Sequence, residues 1–158
     1  MKVFDVAFLS RLVEQSRGNP RLRQHLNIHQ SYEEPVQRLF NAIEPNSYIR
    51  PHRHLSDPRN ELLIAIRGQM ALFVFDDEGK VTRSVLLGTE GAGERFNAAI
   101  EVSSADWHTV IALTPGSVLL EVKAGPFDPE RPKDYAPWAP TEASPESSDY
   151  LRDLLRLV

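Results

Sequence analysis

The chain has 158 residues, 41% of them hydrophobic and 25% charged, with a net charge of −4, which is the size and composition of one ordinary globular domain with a self-sufficient core. Its 18 Lys and Arg against 22 Asp and Glu leave no cationic surplus for a phosphate backbone, and Met70–Phe75, the longest apolar run, is far too short for a bilayer span, so neither nucleic acid nor membrane is an expected partner. The absence of Cys removes disulfides, thiolate metal sites and Cys nucleophiles together, leaving His and carboxylates as donors for any transition metal.

Asp5 interrupts the opening apolar stretch and no small-residue cleavage site follows, so Met1–Leu9 does not read as a signal peptide, and a soluble, cytoplasmic protein is expected. Asp5 instead caps a helix whose face carries Phe8, Leu9, Leu12 and Val13, ended by Gly18 and Pro20. From Pro35 to Lys123 the pattern becomes short Val-, Ile-, Leu- and Phe-rich runs divided by turn residues. Strands are expected at Val36–Ile43, Ser47–His54, Glu61–Arg67, Met70–Phe75, Val81–Leu87, Ala98–Val102, Trp107–Leu113 and Ser117–Lys123. Hairpin-connected strands in this number predict an all-β barrel or double-sheet jelly roll.

After Gly125, the prolines at 126, 129, 132, 137, 140 and 145 predict an extended strap. Ser144 and Pro145 then open a short helix with the stripe Leu151, Leu154, Leu155 and Val158. That stripe and Trp138 either pack on the barrel or form a partner surface, as in a homodimer. The whole reads as one domain: 1–34 a helix and arm, 35–124 the barrel, 125–158 the strap and C-terminal helix.

The five histidines stand at 25, 29, 52, 54 and 108. On a strand, His52 and His54 point to one side, with Tyr48 and Arg50 in line before them. Two such imidazoles can share an ion if another strand supplies a further donor. Glu61 heads the apolar run Leu62–Ile66, and His108 lies in an otherwise apolar strand, so both are candidates. The competing readings are an exposed His pair, a satisfied core His108, and a rim Glu61 paired with Arg59 or Arg67.

The pattern Asn46-x5-His52-x-His54-x6-Glu61-x6-Gly68 resembles the first motif of the cupins, with Asn in place of the opening Gly and a longer gap before Glu. Of the second cupin motif only its His is retained, as His108. The segments around Leu26–Gln30, Glu34–Arg38, Tyr48–His54, Asp106–Val110, Glu121–Pro126 and Lys133–Pro140 are similar to small single-domain cupin metalloproteins of the WbuC type, whose genes are associated with O-antigen and surface-polysaccharide sets. This resemblance implies a cupin jelly roll holding one divalent metal ion on His52, His54, Glu61 and His108, and it implies no particular reaction.

Such a nitrogen and oxygen donor set suits Fe, Mn, Ni or Zn and leaves positions open to substrate. Arg50, and Arg38 on the preceding strand, are candidate clamps for a carboxylate or phosphate, with surface ion pairs as the alternative. Tyr48 is either a proton relay or filling for the barrel mouth. His29, Asn27 and Gln37 fall in the stretch that resembles the family, where a chain crossing the mouth presents them to a ligand, His29 as a second titratable group. Glu121 and Lys123 are expected to form a salt bridge at the end of the last strand. The expected function is a metal-dependent isomerase, epimerase or oxygenase acting on a small anionic, sugar-like metabolite. The alternatives are a noncatalytic metal- or sugar-binding protein and a metal-free epimerase using His and Tyr.

Overall fold

The computed structural model describes residues 1–130 and 133–158; Pro132 of the expected strap lies outside them. Helix α1 (Val6–Gly18) begins at Asp5, whose side chain accepts a hydrogen bond from the Phe8 amide at 2.8 Å, satisfying one of the donors that a helix N-terminus leaves without a partner. The strands are β1 (Arg23–Asn27), β2 (Val36–Ile43), β3 (His52–Arg53), β4 (Glu61–Arg67), β5 (Gln69–Phe75), β6 (Val81–Gly88), β7 (Ala99–Val102), β8 (Trp107–Ala112), β9 (Ser117–Ala124) and β10 (Asp134–Tyr135), followed by helix α2 (Glu146–Leu155).

These strands form two antiparallel five-stranded sheets, ordered β1-β2-β9-β4-β7 and β10-β3-β8-β5-β6. This is the expected jelly-roll arrangement of a mostly β chain with a helix at either end, corrected in one respect: the sheets face one another and do not close into a barrel. Among the described residues the only backbone bridge outside the ladders is Leu87 to Asn97.

Three apolar cores set the layers. Between the sheets lie Ile43, Leu63, Met70, Leu72, Leu87, Val110 and Leu119. Outside the first sheet, Leu12 and Val13 of α1 pack on Phe40, Ala42 and Val118. Outside the second, Leu151 and Leu154 of α2, with Ala136 and Trp138 of the strap, cover Phe73, Phe75, Trp107 and Ile111. Leu151, Leu154 and Leu155 of the expected stripe therefore pack within the chain, whereas Val158, beyond α2, is exposed. Every residue of β8 is buried, because one of its faces meets the opposite sheet and the other the strap, which explains a strand without apolar–polar alternation.

The expected strand Ser47–His54 is the main departure. Only His52 and Arg53 join a ladder. Asn46 takes a left-handed φ of 71°, a conformation Asn tolerates better than most residues. The backbone carbonyls of 48, 49 and 51 are then satisfied without ladder pairing: the Arg23 side chain donates to the Tyr48 carbonyl, Thr109 Oγ1 to that of Ile49 and the Ala136 amide to that of Pro51. No helix among the described residues is long and apolar enough to cross a membrane.

Candidate metal centre

At one end of the space between the sheets the inward positions turn polar. His108, on β8, stands in register with His52 on β3, so antiparallel pairing alone brings two imidazoles together. Their ring centroids are 4.6 Å apart, and His54, two residues further along, completes a cluster with centroid distances of 5.3 and 5.8 Å to them. From the facing sheet, Glu61 places Oε1 3.1 Å from His54 Nε2 and Oε2 3.5 Å from His108 Nε2. All four residues are buried, and one donor atom from each lies within 4.8 Å of every other. The longer gap between His54 and Glu61 is absorbed by a loop, with the Asp57 amide hydrogen-bonded to the His54 carbonyl.

Two of the rings are set for ligation by their own backbone. His52 Nδ1 lies 3.0 Å from the Arg50 carbonyl and His108 Nδ1 2.9 Å from that of Asp106. A carbonyl only accepts, so each Nδ1 carries the proton and each Nε2 presents its lone pair to the cluster, the outer-partner arrangement that orients metal-binding imidazoles. Burial, with Lys133 and His108 nearby, holds His52 well below the ordinary imidazole range, so it stays neutral as a ligand must. Burial alone would raise the Glu61 carboxyl, but its contacts with His108 and His54 and the charge on Lys123 hold it well below its usual range. The donor set therefore fits a divalent cation: buried, convergent, and in the required protonation states for both His52 and Glu61.

Lys123 and Glu121 complete the floor, a placement sequence reasoning missed. Lys123, opposite Glu61 in the ladder, reaches Glu61 Oε1 at 2.9 Å and Glu121 Oε1 at 3.1 Å. Their salt bridge exists as expected, but it points into the centre and not off the end of the strand. Burial and the neighbouring Glu61 push Glu121 up to about 7.

Two cavities open from the cluster, sharing His25, His52, Glu61, Glu121 and Lys133 as common walls. The larger, about 450 Å³, is lined by Arg21, Arg23, Arg50 and Lys133. There Arg50 donates to the Ala136 carbonyl at 2.6 Å and stands over the Tyr135 ring. Arg23 is occupied, donating through one nitrogen to both oxygens of Glu142 at 2.6 Å, which ties the strap to β1. The smaller cavity, about 240 Å³, is lined by Asn27, His29 and Gln37 with Tyr32 and Phe127.

The remaining candidates lie elsewhere. Arg38 sits beside the inward-facing Gln37 and Leu39, so strand alternation turns its side chain to the other face of the sheet, where it pairs with Glu34. Tyr48 belongs to the core under the strap, donating its hydroxyl to the Pro140 carbonyl at 2.9 Å and packing on Tyr150. The alternation expected from Tyr48 to His54 fails because residues 47–51 are held by side chains and strap and not by a pleated ladder. His25, Asn41, Glu121, Lys123 and Lys133 also line the site. Strand alternation offered a signal for Asn41, Glu121 and Lys123, but which face was inward depended on the pairing.

Residues 4–87 match the model of a family described as a domain of unknown function (DUF6016). No curated protein matches the chain. Among solved structures, KdgF from Halomonas sp. is similar with a TM-score of 0.51 at 15% identity, over 68% of this chain and 82% of that one. CapF gives 0.53 at 15%, over 70% of this chain and 30% of that one, and the oxalate decarboxylase of Bacillus subtilis 0.51 at 17%, over 69% and 26%. At these identities the likeness is one of fold, a cupin-type jelly roll. The chain thus belongs to the DUF6016 family and buries three histidines and one glutamate in an arrangement that could hold a metal ion.

Proposed function

We propose that this protein is a metal-dependent enzyme of the WbuC type acting on a small anionic, sugar-like metabolite, as an isomerase, epimerase or oxygenase. The reading is carried by one observation: four buried donors converge within 4.8 Å of one another at the inner end of a cavity walled by Arg21, Arg50 and Lys133. His52, His54, Glu61 and His108 would hold the ion. Bound there, a divalent ion supplies Lewis acidity toward a carbonyl or hydroxyl and, in the case of iron, redox chemistry with dioxygen.

The chain's own groups do the rest. Arg50, oriented by the Ala136 carbonyl and the Tyr135 ring, holds an anionic group at the entrance side by charge-assisted hydrogen bonds. His29 and Glu121 are among the titratable groups facing the cavities besides the ligands, and Glu121, near 7, is suited to exchange a proton at neutral pH. The link to surface-polysaccharide synthesis rests on the family resemblance alone.

Two observations favour other readings. Tyr48, tied to Pro140, leaves fewer proton donors at the centre, as a noncatalytic binding protein would have. Lys123 neutralises Glu61 without any ion, as a metal-free epimerase requires. Elemental analysis of the purified protein, then a screen of sugar acids and nucleotide sugars with and without oxygen, separates the three. About one ion per chain with turnover supports the enzyme, an ion with binding but no turnover the binding protein, and turnover without an ion the metal-free epimerase.

A further inference from the structure

The two cavities that meet at the metal centre differ in chemistry, and the difference names the ligand. Resting on the reading of the centre as an anion-binding metal site, the inference concerns the smaller cavity. Gln37 is buried, and its Nε2 donates to the carbonyls of Tyr32 at 3.1 Å and Glu34 at 2.9 Å. Those two bonds fix which end of the amide is which, so Oε1 is the free end, an acceptor with no partner among the described residues.

His29 is likewise buried. Its Nδ1 lies 3.0 Å from the Arg38 amide and 2.9 Å from the Arg38 carbonyl, so it accepts from the first or donates to the second according to tautomer, and Nε2, correspondingly a donor or an acceptor, has no partner among the described residues. The cavity wall thus offers two unmatched polar atoms, the acceptor Gln37 Oε1 and the imidazole Nε2 of His29, beside the aromatic faces of Tyr32 and Phe127. A buried unmatched polar atom costs stability unless a ligand satisfies it. A carboxylate or phosphate would be repelled by Gln37 Oε1, whereas hydroxyls, which both donate and accept, satisfy the two in either tautomer of His29.

The larger cavity has the opposite character. Arg50 Nε is buried without a partner among the described residues, and Lys133 stands beside it over the same Tyr135 ring, while Arg23 is already committed to Glu142.

We propose that the ligand is a sugar acid laid across both cavities, its carboxylate toward Arg50 and Lys133 and its hydroxyls toward Gln37 Oε1 and His29 Nε2, so that Gln37 and His29 set specificity. The metal centre then faces the carbons between the acid group and the polyol chain.

The test is calorimetric titration of the metal-loaded protein with gluconate and galacturonate, with glycolate as an acid too short to span both cavities, and with sorbitol as a polyol lacking the acid. The wild type binds at least one sugar acid about tenfold or more tighter than glycolate or sorbitol. Gln37→Met and His29→Phe each narrow the sugar-acid to glycolate ratio about three- to tenfold, the scale of one hydrogen bond, while leaving glycolate binding unchanged. Arg50→Gln weakens all the acids together and leaves sorbitol alone. A wild-type ratio near one overturns the proposal without need of any variant, as does an unchanged ratio in both cavity variants at a preserved thermal midpoint. If no acid of any length binds the loaded wild type, the reading of the centre itself fails as well, a result distinct from loss of chain-length selectivity.

Discussion

The two ends of the space between the sheets are built by the same strands and have opposite chemistry. Along β4 the inward residues run Glu61, Leu63, Ala65; along β8, His108, Val110, Ala112; along β9, Lys123, Glu121, Leu119. Antiparallel register continues through these residues, the β4–β9 irregularity falling only beyond Ala65, and along this stretch only the side chains change. The apolar end holds Met70, Leu72 and Leu87 with no exposed surface and carries the stabilising burial. The polar end buries imidazoles, carboxylates and an ammonium, each costly unless paired, and compensates by the Glu61–Lys123–Glu121 contacts and the carbonyls behind His52 and His108. Stability and chemistry are thus separated along the strand axis, and each end should be alterable with little effect on the other.

The largest effect expected is from His108→Ala at the polar end. Losing a ligand should lower metal affinity well beyond the about 10–100-fold that loss of an outer partner costs. Elemental analysis after dialysis should fall from about one ion to background, with the β circular-dichroism spectrum retained; full metal content in this variant would remove His108 from the centre. At the other end, Leu72→Ala removes a side chain buried between the sheets and should cost about 2–5 kcal/mol in urea unfolding of the metal-free chain with metal stoichiometry unaffected. If Leu72→Ala strips metal, or His108→Ala unfolds the protein, the two ends are not independent.

That separation was partly legible in the residues. Val36–Ile43 and Glu61–Arg67 lie where the expectation put them, because runs rich in β-branched and apolar residues between turn signals leave few alternatives. His52, His54 and His108 were findable from alternation together with the family pattern, and Gly68, which closes the first motif, has φ 75° with its Cβ direction filled by Ser117, so any side chain there would be strained. The polar β1 strand Arg23–Asn27 and the two-residue β10 were not expected as strands, and β3 was expected over the longer Ser47–His54, because their pairing is decided by distant chain: β1 by β2, and β3 by β8 and the strap. Lys123 was legible as a partner of Glu121 but not as a neighbour of Glu61, since that contact depends on the β4–β9 register. Tyr48 was placed at the site by local alternation and long-range contacts turned it away, whereas Arg38 was placed there as a cation on the preceding strand, and the alternation that points Gln37 and Leu39 inward turns it out to Glu34.

A smaller effect sharpens the polar end. Lys123 occupies Glu61 Oε1, an oxygen a cation also requires, and adds a positive charge beside it. Lys123→Met should therefore raise metal affinity about three- to tenfold in competition with a chromogenic chelator, most at low ionic strength. A fall in affinity would mean that Lys123 positions Glu61 more than it competes for it.

The smallest effect expected is the pH dependence of the metal-free chain. His52 has a folded pKa well below the ordinary imidazole value because burial penalises its charged form. In the unfolded chain the same imidazole takes up a proton near pH 6.5. The unfolded state therefore binds more protons than the folded one below that value, so the stability contribution of His52 is fully present above about pH 6.5 and is lost as pH falls toward the folded pKa. Glu121 acts in the opposite sense. Its folded pKa of about 7 lies above the unfolded carboxylate value, so its contribution is present at acid pH and lost as pH rises to about 7. The two overlap in the raw stability profile, so the informative quantity is the unfolding free energy of the wild type minus that of His52→Ala, in which the Glu121 contribution largely cancels. That difference should shrink on going from pH 7.5 to pH 5.5, by no more than about 1.4 kcal/mol for each unit below 6.5. A flat difference would show that His52 takes up its proton equally in the folded and unfolded chain. It would then not be held neutral by the dry end of the sheet packing, and the polar end would be open to water in a way the apolar end is not.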